Sequence, residues 1–206
     1  MPSEMRMSRL MLLLSAFVLA ACNAQNRQSC VRHQDFARVA VDLFRSACVL
    51  TQGSFEPVSK FAAVGHFVPV GKEDLSRLPP AVAEPDVAEP DVQALWTLER
   101  DGGIYYLSLP RDCCSVKAER ADSAVLLEHF DGLVRQPPKN TNIELRAEQS
   151  VQALFETRQI SYAWRESGSP EETVLTAQTA DSPDLPVQAV LNLTHRSHNG
   201  KPLILP

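Results

Sequence analysis

The sequence has few of the residues and motifs that mark several common classes of protein. It has only 8 Gly among 206 residues, and it contains no phosphate-binding glycine loop, dinucleotide fingerprint, Gly-x-Ser-x-Gly motif or His-Glu-x-x-His motif. No apolar run reaches the roughly 18–20 residues that a membrane-spanning helix needs. The 20 basic side chains are outnumbered by 25 acidic ones, so there is no net basic character of the kind that binds nucleic acid. We therefore expect neither a cofactor nor a nucleic-acid partner.

The first 21 residues have the composition of an export signal. Arg6 and Arg9 precede an apolar run over residues 10–21, and small residues follow at its end. A charged start and a short apolar segment are typical of a secretory signal peptide. The end of the run, Leu19-Ala20-Ala21-Cys22, resembles the lipobox of bacterial lipoproteins. That resemblance implies cleavage before Cys22, diacylation of its sulfur and acylation of the new amino group. The alternative is an ordinary signal peptide with a cysteine there by chance.

The residues after Cys22 bear on location. Several acyl chains on one residue give a stable membrane anchor. In enteric-type sorting an Asp after the lipidated cysteine retains the protein at the inner membrane, so by resemblance Asn23 favours the outer membrane. We expect a signal peptide at 1–21, a polar tether at 22–33 and one α+β domain at 34–206. The protein would be anchored in the cell envelope, most simply on the outer membrane facing the periplasm.

Four cysteines follow the anchor: Cys30, Cys48, Cys113 and Cys114. An even number in an oxidising compartment predicts disulfides, and four cysteines allow three pairings. A bond between the adjacent Cys113 and Cys114 would close a strained ring. Alternation places Cys114 on the apolar face of a strand, and helical periodicity places Cys48 on an apolar stripe. These positions predict the pairs Cys48–Cys114 and Cys30–Cys113.

Other uses of the cysteines and histidines have weaker patterns behind them. The stretch Cys30-Val31-Arg32-His33 has a spacing found in metal sites, with Cys113 or Cys114 as a further ligand, but no second Cys-x-x-Cys supports it. A Cys–His nucleophile could use His33, His66 or His129. Two more histidines, His195 and His198, lie close together near a strand end. A metal site there lacks a third ligand in sequence, and a solvated turn is the simpler interpretation.

Apolar periodicity predicts helices in the first part of the chain and strands in the second. A helix is expected over residues 34–50, and another begins after Ser54 and ends at Gly65. A third helix begins after Asp122 and ends before Pro137-Pro138. Strands are expected at 96–100, 104–109, 113–118, 160–164, 173–177 and 187–193, with a tight turn at 101–103. The segment 143–157 is ambiguous between helix and strand.

These elements, in the order ααβββαβββ, predict an α+β fold. We expect an antiparallel sheet of about six strands, with two N-terminal helices and one inserted helix packed on it. A loop at about 79–92 carries the tandem pentapeptides 82–86 and 87–91, rich in Pro and acid, which should be extended and solvated. The strand aromatics should lie mostly in the core; these are Trp96, Tyr105, Tyr106 and Trp164.

Several of these segments share features with a known group of proteins. The first helix ending in Cys48, the run Phe61-Ala62-Ala63-Val64-Gly65-His66-Phe67, the strand Cys114-Ser115-Val116 and the closing Val187-Gln188-Ala189-Val190-Leu191 resemble a family of small exported or lipidated proteins of Gram-negative bacteria. The resemblance covers most of residues 34–195. It supports the α+β fold and the Cys48–Cys114 pairing, and it implies no catalytic residue.

The function expected from these features is binding in the cell envelope. Lipidation at Cys22, small size and disulfides favour a non-enzymatic protein-binding or envelope-maintenance module, of the inhibitor or immunity type among others, with another envelope protein as its partner. The alternative is a small periplasmic hydrolase or a metal-dependent envelope enzyme. A deep pocket that gathers histidines and carboxylates would favour that alternative.

Overall fold

The computed structural model describes residues 36–71, 73–83, 92–111, 113–152 and 155–197. The expectations for the signal peptide, Cys22, the tether, Cys30, His33 and His198 lie outside the described residues. So does most of the tandem pentapeptide segment.

Both N-terminal helices are confirmed. The described part of α1 covers residues 36–44 and continues as a π-helical turn at Arg45–Val49, and α2 covers Phe55–Val64. Ser54 and Gly65 flank α2 as expected, but the Ser54 side chain makes no capping hydrogen bond. The left-handed residue that ends α2 is His66, with φ of 60°. The helix therefore ends at the position that the sequence predicts, but the residue in the left-handed conformation is His66 and not Gly65.

In the described part of the chain, eight strands form one open antiparallel sheet, in the order β1-β2-β3-β4-β8-β7-β6-β5. The strands are β1 (Val68–Pro69), β2 (Val92–Arg100), β3 (Gly103–Pro110), β4 (Cys113–Ala118), β5 (Thr141–Gln152), β6 (Glu156–Glu166), β7 (Glu171–Ala180) and β8 (Ala189–Ser197). Each half of the chain forms a meander of four strands. The two meanders join where β4 pairs with β8.

The expectation of about six strands was wrong, because two strands gave no clear signal in the sequence. Strand β1 has only two residues, which pair with Thr97 and Trp96 of β2. Strand β5 occupies most of the ambiguous segment 143–157. It is an edge strand that leaves apolar residues such as Ile143 and Leu145 exposed, so its apolar residues follow no buried stripe. The coarse prediction of an α+β fold with an antiparallel sheet is confirmed.

The inserted helix α4 covers Ser123–Val134. Its predicted cap is present, since the Asp122 carboxylate accepts a hydrogen bond of 2.9 Å from the Val125 N–H. The Pro-rich loop behaves differently from the expectation. A 3₁₀ turn at Leu75–Arg77 and a short helix α3 at Pro80–Ala83 precede the segment outside the described residues. Val82, the first residue of the repeat, is buried and not solvated.

The main core lies between one face of the sheet, here called the helix face, and helices α1, α2 and α4. The Cys48–Cys114 disulfide, predicted from the sequence, joins α1 to β4 with a Cα–Cα distance of 5.5 Å. Gly53, with φ of 65°, passes directly over this bond. A Cβ at Gly53 would lie 3.2 Å from the Cβ of Cys114, so a side chain there would push the turn away from the sheet.

The strand aromatics are mainly in the core, as expected. Tyr105, Tyr106 and Trp164 are buried, and the Trp164 indole N–H donates a 3.0 Å hydrogen bond to the carbonyl of Val134. Tyr106 points away from the helices. It packs with Val82 and Leu95 in a second, smaller cluster on the opposite face of the sheet, here called the open face.

Candidate functional site

Small polar side chains run across the centre of the open face. Ser108 of β3 pairs with Ser115 of β4, Ser115 with Asn192 of β8, Asn192 with Thr176 of β7, and Thr176 with Ser161 of β6. Adjacent strands lie about 4.8 Å apart, so these five side chains form a continuous line across five strands, here called the polar row. At one end of it the Ser161 and Thr176 hydroxyls are 2.9 Å apart and hydrogen-bonded.

A groove of about 580 Å³ lies over the other end of the polar row. Its floor is formed by β3, β4 and β8, with Ser108, Ser115 and Asn192 in the middle. The described residues that line it further are Ala81, Val82, Leu95, Pro110, Cys113, Lys117, Thr157, Gln178, Thr179, Ala180, Leu185, Val187, Gln188 and Val190. This volume falls within the range of ligand-binding sites. We call it the open-face groove.

Lys117 holds one wall of the groove in place. Its side chain is buried, and its ammonium donates hydrogen bonds of 2.8 Å and 3.1 Å to the carbonyls of Ala81 and Val82 at the end of α3. These bonds satisfy carbonyls that the end of a helix leaves unpaired. A buried ammonium in this position fixes α3 against β4. The wall is therefore attached to the sheet.

Gln188 holds a second wall of the groove in place. Its side-chain amide donates a 2.8 Å hydrogen bond to the carbonyl of Ser182 and accepts one of 3.0 Å from the Ala121 N–H. Both hydrogen bonds are buried. Breaking a buried hydrogen bond is costly, because it leaves a donor or an acceptor without a partner. They tie the loop between β7 and β8 to the start of α4. The groove thus has two walls that are each fixed by buried hydrogen bonds.

The smaller cluster of Val82, Leu95 and Tyr106, which lies beside the α3 wall, also contains a side-chain hydrogen bond. The Tyr106 hydroxyl donates to the Glu119 carboxylate at 2.7 Å. Burial, and in second place the hydrogen bond to Glu119, raises the pKa of Tyr106 well above its usual value of 10.0. The phenol therefore stays neutral and keeps its role as a donor.

The hydroxyl of Ser115 is exceptional among the groove residues. Ser115 is 3% exposed, and its buried Oγ has no hydrogen-bond partner among the residues that the structure describes. A buried hydroxyl left in this way costs about 1–3 kcal/mol. Buried hydroxyls without a hydrogen-bond partner are uncommon in folded proteins, and one explanation is a bound molecule that supplies the missing hydrogen bond. Ser115 lines the groove, so its unfilled hydrogen-bonding capacity lies where a ligand would bind.

Of the described cysteines that the sequence analysis named, Cys113 lies at this groove. Cys113 is half-buried and lines it, whereas Cys114 points to the helix face and is bonded to Cys48. The proposed bond from Cys113 to Cys30 lies partly outside the described residues. Because Cys114 is in a disulfide, the proposed metal site would have only Cys113 among its described candidates. Within the ranges that the structure describes, no three His, Cys, Asp or Glu side chains come together around a common point.

The described histidines lie on the helix side of the sheet, whereas Cys113 lines the open face, although His195 follows Thr194, the β8 residue that pairs with Cys113. His66 and His129 are exposed on the helical side of the molecule. His195 of β8 lies with its Nδ1 3.1 Å from the Thr173 hydroxyl and its Nε2 3.0 Å from the carbonyl of Gln52. A carbonyl can only accept, so Nε2 carries a proton, and in the neutral imidazole Nδ1 then accepts from the Thr173 hydroxyl. His195 therefore belongs to a strand and not to the solvated turn that the sequence suggested.

A second groove, of about 550 Å³, opens beside His195 at the end of the sheet. Among its lining residues are Thr173, Glu166, Glu171 and Glu172. Glu172 is buried and paired with Arg146 of β5. A hydroxyl that donates to a neutral imidazole is the starting arrangement of an activated nucleophile. This groove is the place where the structure brings histidine and carboxylates together.

The sequence alone did not single out the open-face groove. One signal for it was present, because alternation puts Cys113, Ser115 and Lys117 on the face opposite the core. The residues that complete the floor come from β8, about 75 residues later in the chain, and no short-range pattern joins them. Among the described helices, none has the length and hydropathy that crossing a membrane requires. Compared with protein-family models, curated proteins and solved structures, the chain matches none of them.

Proposed function

We propose that this chain is a lipid-anchored protein of the bacterial cell envelope, held on the outer membrane through Cys22, whose globular part is a binding module. The open-face groove is its binding site. The partner is another envelope protein, in the manner of a maintenance factor, an inhibitor or an immunity protein.

The observation that carries this proposal is the chemistry of the groove. Its floor offers uncharged hydrogen-bonding groups from Ser108, Ser115 and Asn192, and its walls offer aliphatic side chains. Binding sites are typically mostly apolar, with a few well-placed polar groups. Lys117, the ammonium in the groove, donates to the carbonyls of α3. The groove therefore suits a ligand that packs against aliphatic side chains and makes uncharged hydrogen bonds with the floor.

Site-specific photocrosslinking in intact envelopes tests the proposal. A photoreactive amino acid replaces Gln178, an exposed residue at the groove, and in a matched control it replaces Glu128, an exposed residue of α4 on the other side of the sheet. We expect one adduct of defined mass from position 178 and none of that mass from position 128. Identical adducts at both positions, or none at position 178, would contradict a binding role for the groove.

A second candidate function, a small hydrolase, is favoured by one observation: the hydrogen bond from the Thr173 hydroxyl to Nδ1 of His195. In this hypothesis Thr173 is the nucleophile, His195 is its base, and the Gln52 carbonyl orients the ring. Hydrolysis of an activated ester such as p-nitrophenyl acetate is the assay. Activity lost in both Thr173→Ala and His195→Gln would support a hydrolase. Activity absent from the parent protein, or unchanged in Thr173→Ala, would reject this hypothesis.

A further inference from the structure

We infer that the ligand of the open-face groove is an extended, uncharged polypeptide segment with aliphatic side chains, whose backbone is hydrogen-bonded by Ser115 and Asn192. The inference rests on the proposed function, since the groove must first be a binding site. It names the class of ligand, which the proposed function leaves open.

The polar groups of the floor match a peptide backbone. A backbone presents one N–H donor and one C=O acceptor at each residue. The side-chain amides of Asn192 and Gln178 and the hydroxyls of Ser108 and Ser115 each combine a donor with an acceptor. Each can therefore pair with either group of a backbone. The buried Ser115 hydroxyl, which lacks a partner, is the one that gains most from such a pairing.

The charge of the groove argues for an uncharged ligand. Of the described residues that line it, Lys117 alone carries a charge, and its ammonium contacts the Ala81 and Val82 carbonyls. A charged side chain placed in the groove would lose its hydration without gaining an opposite charge from the floor. A neutral segment would lose only its hydrogen bonds to water, and the polar groups of the floor can replace these.

The apolar parts of the groove favour aliphatic side chains. Val82, Leu95, Leu185, Val187 and Val190 line the groove, and Val187 packs against the cluster that contains Val82 and Leu95. These surfaces gain free energy from covering aliphatic groups. Aromatic side chains, on which bases stack in nucleic-acid sites, are missing from the described lining. Aliphatic surface beside the small polar groups of the floor suits a short extended chain, whose side chains alternate between its two sides.

Direct binding to the purified mature chain tests the inference. The probe is a pool of acetylated, amidated hexapeptides made only of Ala, Val, Leu, Ser and Thr, compared with a pool in which two positions are Lys or Glu. We expect the uncharged pool to bind at least tenfold more tightly, and to shift the backbone amide resonances of Ser115 and Asn192. Equal affinity for the two pools, or no shift on the open face, would overturn the inference.

Two serine variants make the test specific. Ser115→Ala should weaken the binding of the uncharged pool by about 2- to 10-fold, the range expected for one hydrogen bond. Its melting temperature should stay unchanged or rise, because an unpartnered buried hydroxyl is removed. Ser59→Ala is the matched control, since the Ser59 hydroxyl in α2 is also buried and unpartnered but lies outside the groove. An unchanged affinity in Ser115→Ala would contradict a peptide hydrogen bond at Ser115.

The outcomes separate the inference from the proposed function. If the photoreactive residue at position 178 gives its adduct but neither peptide pool binds, the inference fails and the proposed function stands. If both experiments are negative, both fail. Binding of a neutral oligosaccharide or of a fatty acid in place of the peptides, at the same Ser115 and Asn192 resonances, would also overturn the inference.

Discussion

Removal of the Cys48–Cys114 disulfide should cost the protein a large part of its stability. The bond closes a loop with a sequence separation of 66 residues, and the chain-entropy relation gives about 4 kcal/mol for a loop of that length. Both cysteines are fully buried. We therefore choose Cys48→Ala with Cys114→Ala, so that no new hydroxyl is placed in the core.

Urea unfolding of a non-lipidated form measures this loss. With a denaturant slope of about 2 kcal/mol per molar urea, a loss of about 4 kcal/mol lowers the midpoint by about 2 M. The double variant Cys30→Ala with Cys113→Ala is the matched control, and it should lose less, because the predicted bond there ties only the tether. Equal losses in the two double variants, or peptide mapping that joins Cys30 to Cys48, would refute the reasoning.

Three further predictions concern the anchor, a helix cap and an ion pair. Cys22→Ser should abolish incorporation of a fatty-acid analogue; undiminished label would reject the lipoprotein hypothesis. Asp122→Ala should lower the free energy of unfolding by about 1 kcal/mol, because it removes the acceptor for the Val125 N–H, and an unchanged melting curve would contradict that role. A hydrogen bond from Arg135 lowers the pKa of Asp131, so this pair should stabilise the protein above pH 4 and lose its effect as the pH falls through the folded-state pKa. Asp131→Asn should make urea midpoints less dependent on pH below 4, and an identical dependence would argue against the pair.

Local signals in the sequence predicted local structure well. The Asp101-Gly102 pair sits at the β2–β3 turn with φ values of 54° and 79°, the left-handed conformations that two-residue hairpin turns require. The Asp122 cap is also a local feature and was predictable, because its acceptor and the donor, the Val125 N–H, are three residues apart in the sequence. Alternation on β4 placed Cys114 in the core, and together with the helical apolar stripe that contains Cys48 it predicted the disulfide between them.

Features that depend on distant residues were not predictable in this way. Strand β5 is defined by its partner β6 rather than by its own pattern. Its Ile143 and Leu145 are exposed, and a bulge follows Leu145. The polar row exists only because the registers of four strand pairs place small polar residues side by side. Nothing near Ser115 in the sequence indicates that Asn192 lies beside it.

The strand order has a consequence for the sequence of steps in which the chain folds. Strand β4 pairs with β3, which precedes it in the sequence, and with β8, which comes last in the sequence among the described strands. The first meander can form as soon as its four strands have been synthesised, but its β4 edge has no partner until β8 follows. Cys48 and Cys114 both lie in the early part of the chain, so an oxidase can join them before the second half folds. Until β8 pairs with it, β4 is an exposed edge strand of the kind that aggregates, so this interval is the stage of folding at which a chaperone would matter most.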